Sequence, residues 1–346
     1  MKSASQSLEL VTIDGVTSAE CSVIATTGTS SGPPVILVHG ILDNLRRWIT
    51  TAELRQCPFQ IPEPPHIIPM YQASDAGKAT WWQFPELWEG AGLLQRLCAE
   101  GRPAIAYSYQ DGFQPVADLD TAVEKLNRVA DFAMRRWKSE SVTVVAHSRG
   151  GLIARHALLR DSAVMTSYQL ARNLERLITI ATPHLGSEVA KVATPLHRTM
   201  QQIGSVLRQS QLVVPNQDWL NLQLLERIEL FLTGIGQLVP DSPEVQEVAC
   251  SKMPPLAGGY FAIAGNVPTL FRIDLPMLRI RVPPSWDIPE WTDGQGDMAV
   301  TVPSALDIPH ATAGNTRVLP VNHMTATRDR TVHDLIIEWL RRPSTA

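Results

Sequence analysis

The sequence predicts an α/β protein with a doubly wound, mostly parallel sheet and an inserted helical cap. Short apolar or β-branched segments, such as 35–38 and 142–145, are typical of strands that are buried on both faces. Amphipathic helical patterns alternate with these strands, and this alternation is typical of a parallel sheet wound by helices. The strand pattern stops near residue 188 and resumes near residue 260, which indicates an insertion between two strands.

The first half of the chain supplies most of the predicted strands. Residues 8–26 predict a hairpin that turns at Asp14-Gly15, because Asp-Gly pairs favour tight turns. Short apolar strands follow at 35–38 and at 104–107. Residues 118–137 predict the clearest amphipathic helix, since their apolar residues recur on one helical face.

The second half of the chain completes the sheet and ends in a helix. Strands are predicted at 174–181, at 260–264 and at 317–321. Residues 329–340 predict a helix with one apolar face, and the two arginines and the proline of 341–343 end it.

The insertion gives the predicted domain organisation. Residues 1–187 and 258–346 are expected to form the α/β core, and residues 188–257 a helical cap. The part at 219–238 carries more apolar side chains than one buried helical stripe requires. It is therefore expected to cover a pocket or to line an apolar groove, with packing on the sheet or a dimer surface as the alternatives.

Residues 55–90 interrupt the alternation of strands and helices after the first central strand. Five prolines between positions 58 and 69 exclude regular structure there, and four aromatic residues follow between positions 81 and 88. The segment is expected either to wall a ligand pocket or to form an aromatic-packed surface loop.

Composition narrows the function classes. A net charge of −4 gives no support for binding nucleic acid. The four cysteines lie far apart without C-x-x-C spacing, so they indicate no metal site and leave a disulfide open. We expect neither a metal nor a cofactor. The sequence shows neither a signal-peptide pattern nor an apolar run of membrane-spanning length, which predicts a cytoplasmic protein.

Ser148 lies where a predicted strand turns directly into a predicted helix, within Ala-His-Ser-Arg-Gly-Gly at 146–151. This context is typical of a nucleophile elbow, in which the serine backbone is strained and small residues flank it two positions away. Ala146 replaces the first glycine of the usual pattern, which is a departure of one methyl group. In such an elbow the N–H of Arg149 faces a developing oxyanion. The alternative is a turn without a chemical role.

A second turn follows the strand at 35–38, in the pair His39-Gly40. Gly40 permits a tight turn, and the N–H of Ile41 is then expected to face the same site as the N–H of Arg149. The alternative is that His39 and Gly40 simply end a strand.

The preferred acid and base come late in the chain. Asp297 directly precedes an apolar segment and is preferred over Asp293, whose Asp-Gly pair is typical of a turn. His323 follows a strand and precedes the last helix, which makes it the preferred base for Ser148.

Other histidines have simpler explanations. His184 is expected to shape a loop beneath the site, and His147 to pack behind the elbow. His333 lies on the last helix, where a partly exposed histidine is expected. His310 is a further rival to His323 as the base.

The chain resembles the lipase-type α/β-hydrolases, particularly the branch of bacterial triacylglycerol lipases and PGAP-like inositol-deacylase esterases. Ser148, Asp297 and His323 follow the order of nucleophile, acid and histidine in that fold. The resemblance spans nearly the whole chain, and the residues that carry it are 38–40, 146–151, 181–187, 238–265, 296–300 and 321–323.

The resemblance implies the α/β-hydrolase fold and a serine carboxyl-ester hydrolase that forms an acyl-enzyme on Ser148. Asp297 and His323 would complete its catalytic triad, and the N–H groups of Ile41 and Arg149 would form the oxyanion hole. An acyltransferase on the same triad and a non-catalytic binding protein of the same fold are the alternatives.

The implied substrate is a small-molecule or lipid ester, and transient contact with a membrane or lipid surface is an accompanying expectation. Residues beside the expected catalytic groups are predicted to contact this substrate, namely Leu42, His147, Leu185 and Met298. The cap at 188–257 would then supply a groove for an acyl chain.

Overall fold

The computed structural model describes most of the predicted α/β core. The described residues are 8–18, 21–27, 32–41, 45–50, 53, 57, 92–110, 118–160, 170–191, 234–268, 273–275, 278–280 and 288–344. Leu42, the apolar part of the predicted cap up to residue 233 and all but Cys57 of the proline-rich segment therefore lie outside the described residues.

Ten strands lie in the described part of the chain, and eight of them form one sheet. The strands are β1 (Leu8–Leu10), β2 (Val23–Thr26), β3 (Val35–Val38), β4 (Ala104–Tyr107), β5 (Val142–His147), β6 (Leu174–Ile180), β7 (Gly259–Gly265), β8 (Ile273–Leu275), β9 (Leu278–Ile280) and β10 (Thr316–Leu319). β8 and β9 form a separate antiparallel pair.

The large sheet has the order β1-β2-β4-β3-β5-β6-β7-β10. The six strands from β4 to β10 in this order pair in parallel. β2 is antiparallel to both of its neighbours, β1 and β4. The predicted hairpin is therefore one edge of the sheet, and the predicted mostly parallel sheet is confirmed. Because β3 and β5 are neighbours, the turns that follow them lie side by side at the carboxyl edge.

Helices cover both faces of the sheet. They include α1 (Leu93–Ala99), α2 (Leu119–Trp137), α3 (Arg149–Arg160), α4 (Leu170–Asn173), α5 (Pro243–Cys250), α6 (Val302–Leu306) and α7 (Arg330–Arg341). Aspartates cap the two helices that the sequence predicts most clearly: Asp118 accepts from the amide of Thr121, and Asp329 accepts from the amides of Thr331 and Val332.

The core consists of two apolar layers, one on each face of the sheet. Ile36 and Val38 of β3 pack in the layer shared with α2 and α3, whereas Val35 and Leu37 pack in the layer shared with α1 and α7. This alternation explains why the whole of β3 is apolar: its side chains are buried on both faces. Burial of each such side chain contributes about 1.5–3 kcal/mol.

The described end of the predicted cap packs on the α/β core. Val245 and Val248 of α5 are completely buried in the same apolar layer as Ile153 of α3. The domain boundaries at 187 and 258 stay a prediction, because the remainder of the segment lies outside the described residues. Among the helices of the described residues, none has both the length and the apolar character needed to cross a bilayer.

Candidate active site

Ser148 occupies a sharp turn between β5 and α3. Its φ angle of 53° lies in the left-handed region, which costs a non-glycine residue about 1–3 kcal/mol. The tight packing of the turn also explains the two glycines that follow it. A Cβ atom on Gly150 would lie 2.5 Å from the carbonyl oxygen of His39, and one on Gly151 would lie 2.2 Å from Oγ1 of Thr182.

Ser148, His323 and Asp297 form one chain of hydrogen bonds. Oγ of Ser148 lies 3.0 Å from Nε2 of His323, and Nδ1 of His323 lies 3.0 Å from Oδ2 of Asp297. A carboxylate can only accept, so Nδ1 carries the imidazole proton and Nε2 is free to accept the proton of the serine hydroxyl. The arrangement therefore joins a nucleophile, a base and an orienting acid in the required order.

Asp297 is held rigidly in a buried turn. Its side chain is completely buried, and Oδ1 accepts hydrogen bonds from the amides of Ala299 and Val300, at 3.0 and 2.8 Å. Its carbonyl oxygen accepts from the amide of His323, so the acid and the histidine are also joined through the backbone. Asp293 lies in an exposed turn instead, and the structure places Asp297, not Asp293, against His323.

His147 lies behind the elbow and contacts the loop that carries His323. Its Nε2 donates to the carbonyl oxygen of His323 at 3.0 Å. Burial, followed by the neighbouring His323 imidazole, lowers the pKa of His147 well below its usual range. His147 is therefore neutral with its proton on Nε2, and it holds the backbone of His323 from below.

His184 belongs to a buried polar cluster beneath the site. Its Nδ1 accepts from Nη1 of Arg155 at 3.1 Å, and its Nε2 donates to Oγ1 of Thr179 at 3.2 Å. Burial, and then the Arg155 guanidinium, lower the pKa of His184 well below its usual range. Arg155 also donates to the carbonyl oxygen of Val248, so this cluster ties the elbow helix to α5.

His323, and neither of its rivals His310 and His333, makes the hydrogen bond to Oγ of Ser148. His310 is exposed. The expectation that His333 is partly exposed is wrong, because its side chain is only 1% exposed. Its Nε2 donates to the carbonyl oxygen of Thr327, in the 3-10 turn at Ala326–Arg328 that packs against α7.

The turn His39-Gly40 packs directly against the nucleophile. A Cβ atom on Gly40 would lie 2.9 Å from both Cβ of Ser148 and Nδ1 of His147, so a larger residue is excluded there. Ile41 follows this turn, and Arg149 is the first residue of α3, where amides point out of the helix N-terminus. The two expected oxyanion donors therefore belong to backbone segments that flank Ser148.

The residues predicted to contact substrate have different environments. The Leu185 side chain is 42% exposed, and its amide donates to Oγ of Ser304. Met298 is partly buried and has a φ angle of 93°. His147 is buried, and Leu42 lies outside the described residues. Contact of these four residues with a substrate stays a prediction.

Sequence reasoning missed two buried residues at this edge of the sheet. The hydroxyl of Tyr109 donates to the carbonyl oxygen of Gly40. The sequence feature that could have marked Tyr109 is its position as a polar aromatic residue just after β4. Glu290 is completely buried, and its Oε1 accepts from the amide of Glu188 at 2.6 Å. No sequence pattern marks Glu290, because its contacts join two loops that are distant along the chain.

Within the described residues, no group of three or more His, Cys, Asp or Glu side chains is arranged to hold a metal ion.

Residues 104–223 match the model of a protein family described as "Putative serine esterase (DUF676)". The matched residues contain Ser148 and its elbow and end before Asp297 and His323. The match does not single out the inositol-deacylase branch, which stays a prediction. No curated protein matches the chain in sequence.

Several solved structures are similar to the chain at low sequence identity. A Bacillus licheniformis lipase is 16% identical with a TM-score of 0.45, and the match covers 92% of this chain and 97% of the lipase. An Exiguobacterium antarcticum esterase is 14% identical with a TM-score of 0.47, covering 93% and 96%. A Burkholderia xenovorans enol-lactonase is 11% identical with a TM-score of 0.48, covering 96% and 100%.

These structural similarities are too distant to indicate a substrate. The family match covers the elbow, and the described sheet has the topology of an α/β-hydrolase around it. Residues 104–223 are therefore similar to serine esterases, and the described part of the chain has the α/β-hydrolase fold.

Proposed function

We propose that the chain hydrolyses carboxylic esters through an acyl-enzyme on Ser148, with a Ser148-Asp297-His323 triad. The observation that carries this proposal is the hydrogen-bonded chain from the Ser148 hydroxyl through His323 to Asp297, with both distances at 3.0 Å. A serine is a weak nucleophile unless an oriented base removes its proton, and these contacts supply such a base.

In the first half of the reaction, Oγ of Ser148 attacks the ester carbonyl carbon while its proton passes to Nε2 of His323. The imidazolium formed in this step is stabilised by the buried carboxylate of Asp297. His323 then returns the proton to the departing alcohol oxygen, and the bond between that oxygen and the carbonyl carbon breaks. The acyl group is left esterified to Ser148.

In the second half, water takes the place of the alcohol. Nε2 of His323 removes a proton from water, and the resulting hydroxide attacks the acyl carbon. The carboxylic acid departs as His323 returns the proton to Oγ of Ser148, which restores the starting state.

The negative charge that develops on the carbonyl oxygen needs hydrogen-bond donors that are already in place. We assign this role to the backbone N–H groups of Ile41 and Arg149. The proposal is supported by the close packing of the Gly40 turn on Ser148 and by the position of Arg149 at the start of α3. Donors of this kind lower the barrier by several kcal/mol because they need no reorganisation during the reaction.

Replacement of the nucleophile tests the proposal. Ser148→Ala should reduce hydrolysis of a short nitrophenyl ester by about 10⁶-fold while leaving the fold intact, because Ser148 supplies the covalent step. The control is Ser304→Ala, which removes a serine hydroxyl that binds the amide of Leu185 and the carbonyl of Gly186 and does not belong to the hydrogen-bonded chain of Ser148. Hydrolysis by folded Ser148→Ala at the wild-type rate would refute the proposal.

A second experiment determines which class of ester the site accepts. A panel of nitrophenyl esters from acetate to dodecanoate should give the length of acyl chain that the site accepts, since each buried methylene contributes about 0.8 kcal/mol. Addition of methanol distinguishes hydrolysis from acyl transfer. A hydrolase releases the free acid as the main product, whereas an acyltransferase releases mainly the methyl ester.

A further inference from the structure

We propose that Tyr109 is a positioning residue of the oxyanion hole, and that it acts through the Gly40–Ile41 peptide. This inference rests on the proposed function, which assigns the N–H of Ile41 to the oxyanion. Tyr109 lies just beyond β4, the neighbour of β3 in the sheet, and its side chain reaches back to the turn that follows β3.

The carbonyl oxygen of Gly40 accepts two hydrogen bonds from buried side chains. The Tyr109 hydroxyl donates to it at 2.9 Å, and Nδ1 of His39 lies 2.8 Å from it. His39 is completely buried and Tyr109 is 1% exposed. Both bonds are therefore shielded from competing water, which strengthens them.

The tautomer of His39 follows from its second contact. The backbone N–H of Tyr109 donates to Nε2 of His39 at 3.2 Å. Because Nε2 accepts, the proton lies on Nδ1, and His39 donates to the Gly40 carbonyl. The two rings also stack, with their centroids 4.1 Å apart and their planes 2° apart. Tyr109 thus fixes both the tautomer and the orientation of His39.

Planarity transmits this restraint to the other side of the peptide. In a trans peptide the C=O and N–H bonds point in opposite directions, so fixing the Gly40 carbonyl also fixes the N–H of Ile41. Gly40 lies against Cβ of Ser148, so this peptide borders the reacting serine. The Tyr109 hydroxyl and the His39 imidazole therefore hold the Gly40 carbonyl on one side, and the Ile41 N–H is directed away from them.

Tyr109 is itself anchored from α2. Nζ of Lys125 donates to the carbonyl oxygen of Tyr109 at 3.0 Å, so the backbone of this residue is held as well as its ring. The restraint on the Gly40–Ile41 peptide thus extends from α2 through Tyr109 to the Gly40 carbonyl.

The variant Tyr109→Phe removes the hydroxyl and keeps the ring that stacks on His39. Complete loss of an oxyanion donor costs about 10²–10³-fold in kcat, and a donor that is only less well directed costs less. We expect kcat on a nitrophenyl ester to fall about 10–100-fold, with KM changed by less than about 2-fold, because the hydroxyl acts through a group that bonds the transition state.

Tyr107→Phe is the matched control. Tyr107 ends β4 two residues earlier and is completely buried, and its hydroxyl has no hydrogen-bond partner in the described part of the chain. Burial raises the pKa of Tyr107 well above its usual range, so this hydroxyl stays neutral. Its removal should leave kcat and KM unchanged and should not lower stability.

A pair of substrates separates positioning of the oxyanion hole from general support of the fold. Replacement of the carbonyl oxygen of an ester by sulfur gives a thionoester, whose sulfur is a poorer hydrogen-bond acceptor. Wild-type enzyme and Tyr107→Phe should share a large preference for the ester, measured as a ratio of kcat/KM values. Tyr109→Phe should reduce this ratio by about 10-fold or more. The ratio does not depend on the concentration of folded enzyme, so it decides the question even if the variant folds less completely.

The outcomes distinguish this inference from the proposed function beneath it. Hydrolysis by folded Ser148→Ala would overturn the proposed function. If Ser148→Ala is inactive but Tyr109→Phe and Tyr107→Phe have the same ester-to-thionoester ratio of kcat/KM values, only the role of Tyr109 is overturned. A reduced ratio in Tyr109→Phe alone supports it.

Discussion

The two ends of the parallel sheet both bury charged and polar side chains, but these side chains have different partners. At the amino end, Arg176 of β6 donates to the carbonyl oxygens of Gly258, Trp339 and Arg342, at 3.0, 2.7 and 2.8 Å. Two of these carbonyls end α7, whose C-terminus attracts a cation. The amino end thus uses a buried charge to close a helix.

At the carboxyl end, the buried polar groups bind one another and the backbone is strained. Ser148, Ala181 and Met298 have left-handed φ angles of 53°, 51° and 93°. Each such residue costs about 1–3 kcal/mol and persists only because its surroundings fix it. One sheet thus separates two tasks: contacts at its amino end stabilise the fold, and contacts at its carboxyl end hold reactive groups in place.

The largest effect is expected from the acid of the triad. Asp297→Asn should lower kcat by about 10⁴-fold, because the amide no longer holds the proton of His323 on Nδ1 or stabilises the imidazolium. Asp293→Asn is the control, since Asp293 lies in an exposed turn of the same loop and should retain nearly full activity. Steady-state hydrolysis of a nitrophenyl ester measures both variants. The opposite ranking of the two would make Asp293 the acid.

A stability effect without a catalytic effect is expected at the other end of the sheet. Arg176→Met leaves one buried and two partly buried carbonyl groups without their charged donor, and we expect the free energy of unfolding to fall by about 3 kcal/mol. The kcat of the folded fraction should not change. Arg317→Met, which removes an exposed arginine of β10 that binds the nearby carbonyls of Ala313 and Thr316, should cost much less. Urea unfolding combined with active-site titration measures both quantities. A large fall in kcat for Arg176→Met would contradict the separation of tasks.

The smallest effect concerns the acid sensitivity of the fold. Burial lowers the pKa of His333 from 6.5 to about 4. Between these two pH values the unfolded chain binds a proton at His333 that the folded chain does not, so stability falls as the pH drops from about 6.5 to about 4. Burial also lowers the pKa values of His147 and His184, which act in the same direction.

The variant His333→Gln isolates this contribution. Glutamine does not titrate, and its side-chain amide can donate to the carbonyl of Thr327 as His333 does. The loss of unfolding free energy between pH 7 and pH 5, measured by urea titration, should be smaller in the variant than in the wild type. An identical loss in both proteins would show that His333 does not contribute.

The sequence allowed the central strands and their turns to be predicted closely. Residues 35–38 are continuously apolar and residues 142–145 are all β-branched, and both patterns predict a buried strand without knowledge of any partner strand. The order of Ser148, Asp297 and His323 along the chain predicted that they would meet, and their side chains do lie together. The tight turns at Gly40 and Gly150 were likewise marked by residue size.

Other features depend on contacts that no local pattern contains. The role of Tyr109 requires β4 to lie beside β3, and strand order is not encoded in the periodicity of either strand. Glu290 bonds an amide 102 positions away along the chain. His333 was expected to be partly exposed because its helix is amphipathic, but the 3-10 turn at Ala326–Arg328 covers it.

The proposed mechanism requires Ser148 to be the residue that becomes acylated. Incubation with a fluorophosphonate, followed by proteolysis and mass spectrometry, measures which residue is modified. We expect one adduct, on the peptide that contains Ser148, with labelling abolished in Ser148→Ala and strongly slowed in Asp297→Asn. An adduct on another serine, or labelling of Ser148→Ala at the wild-type rate, would contradict it.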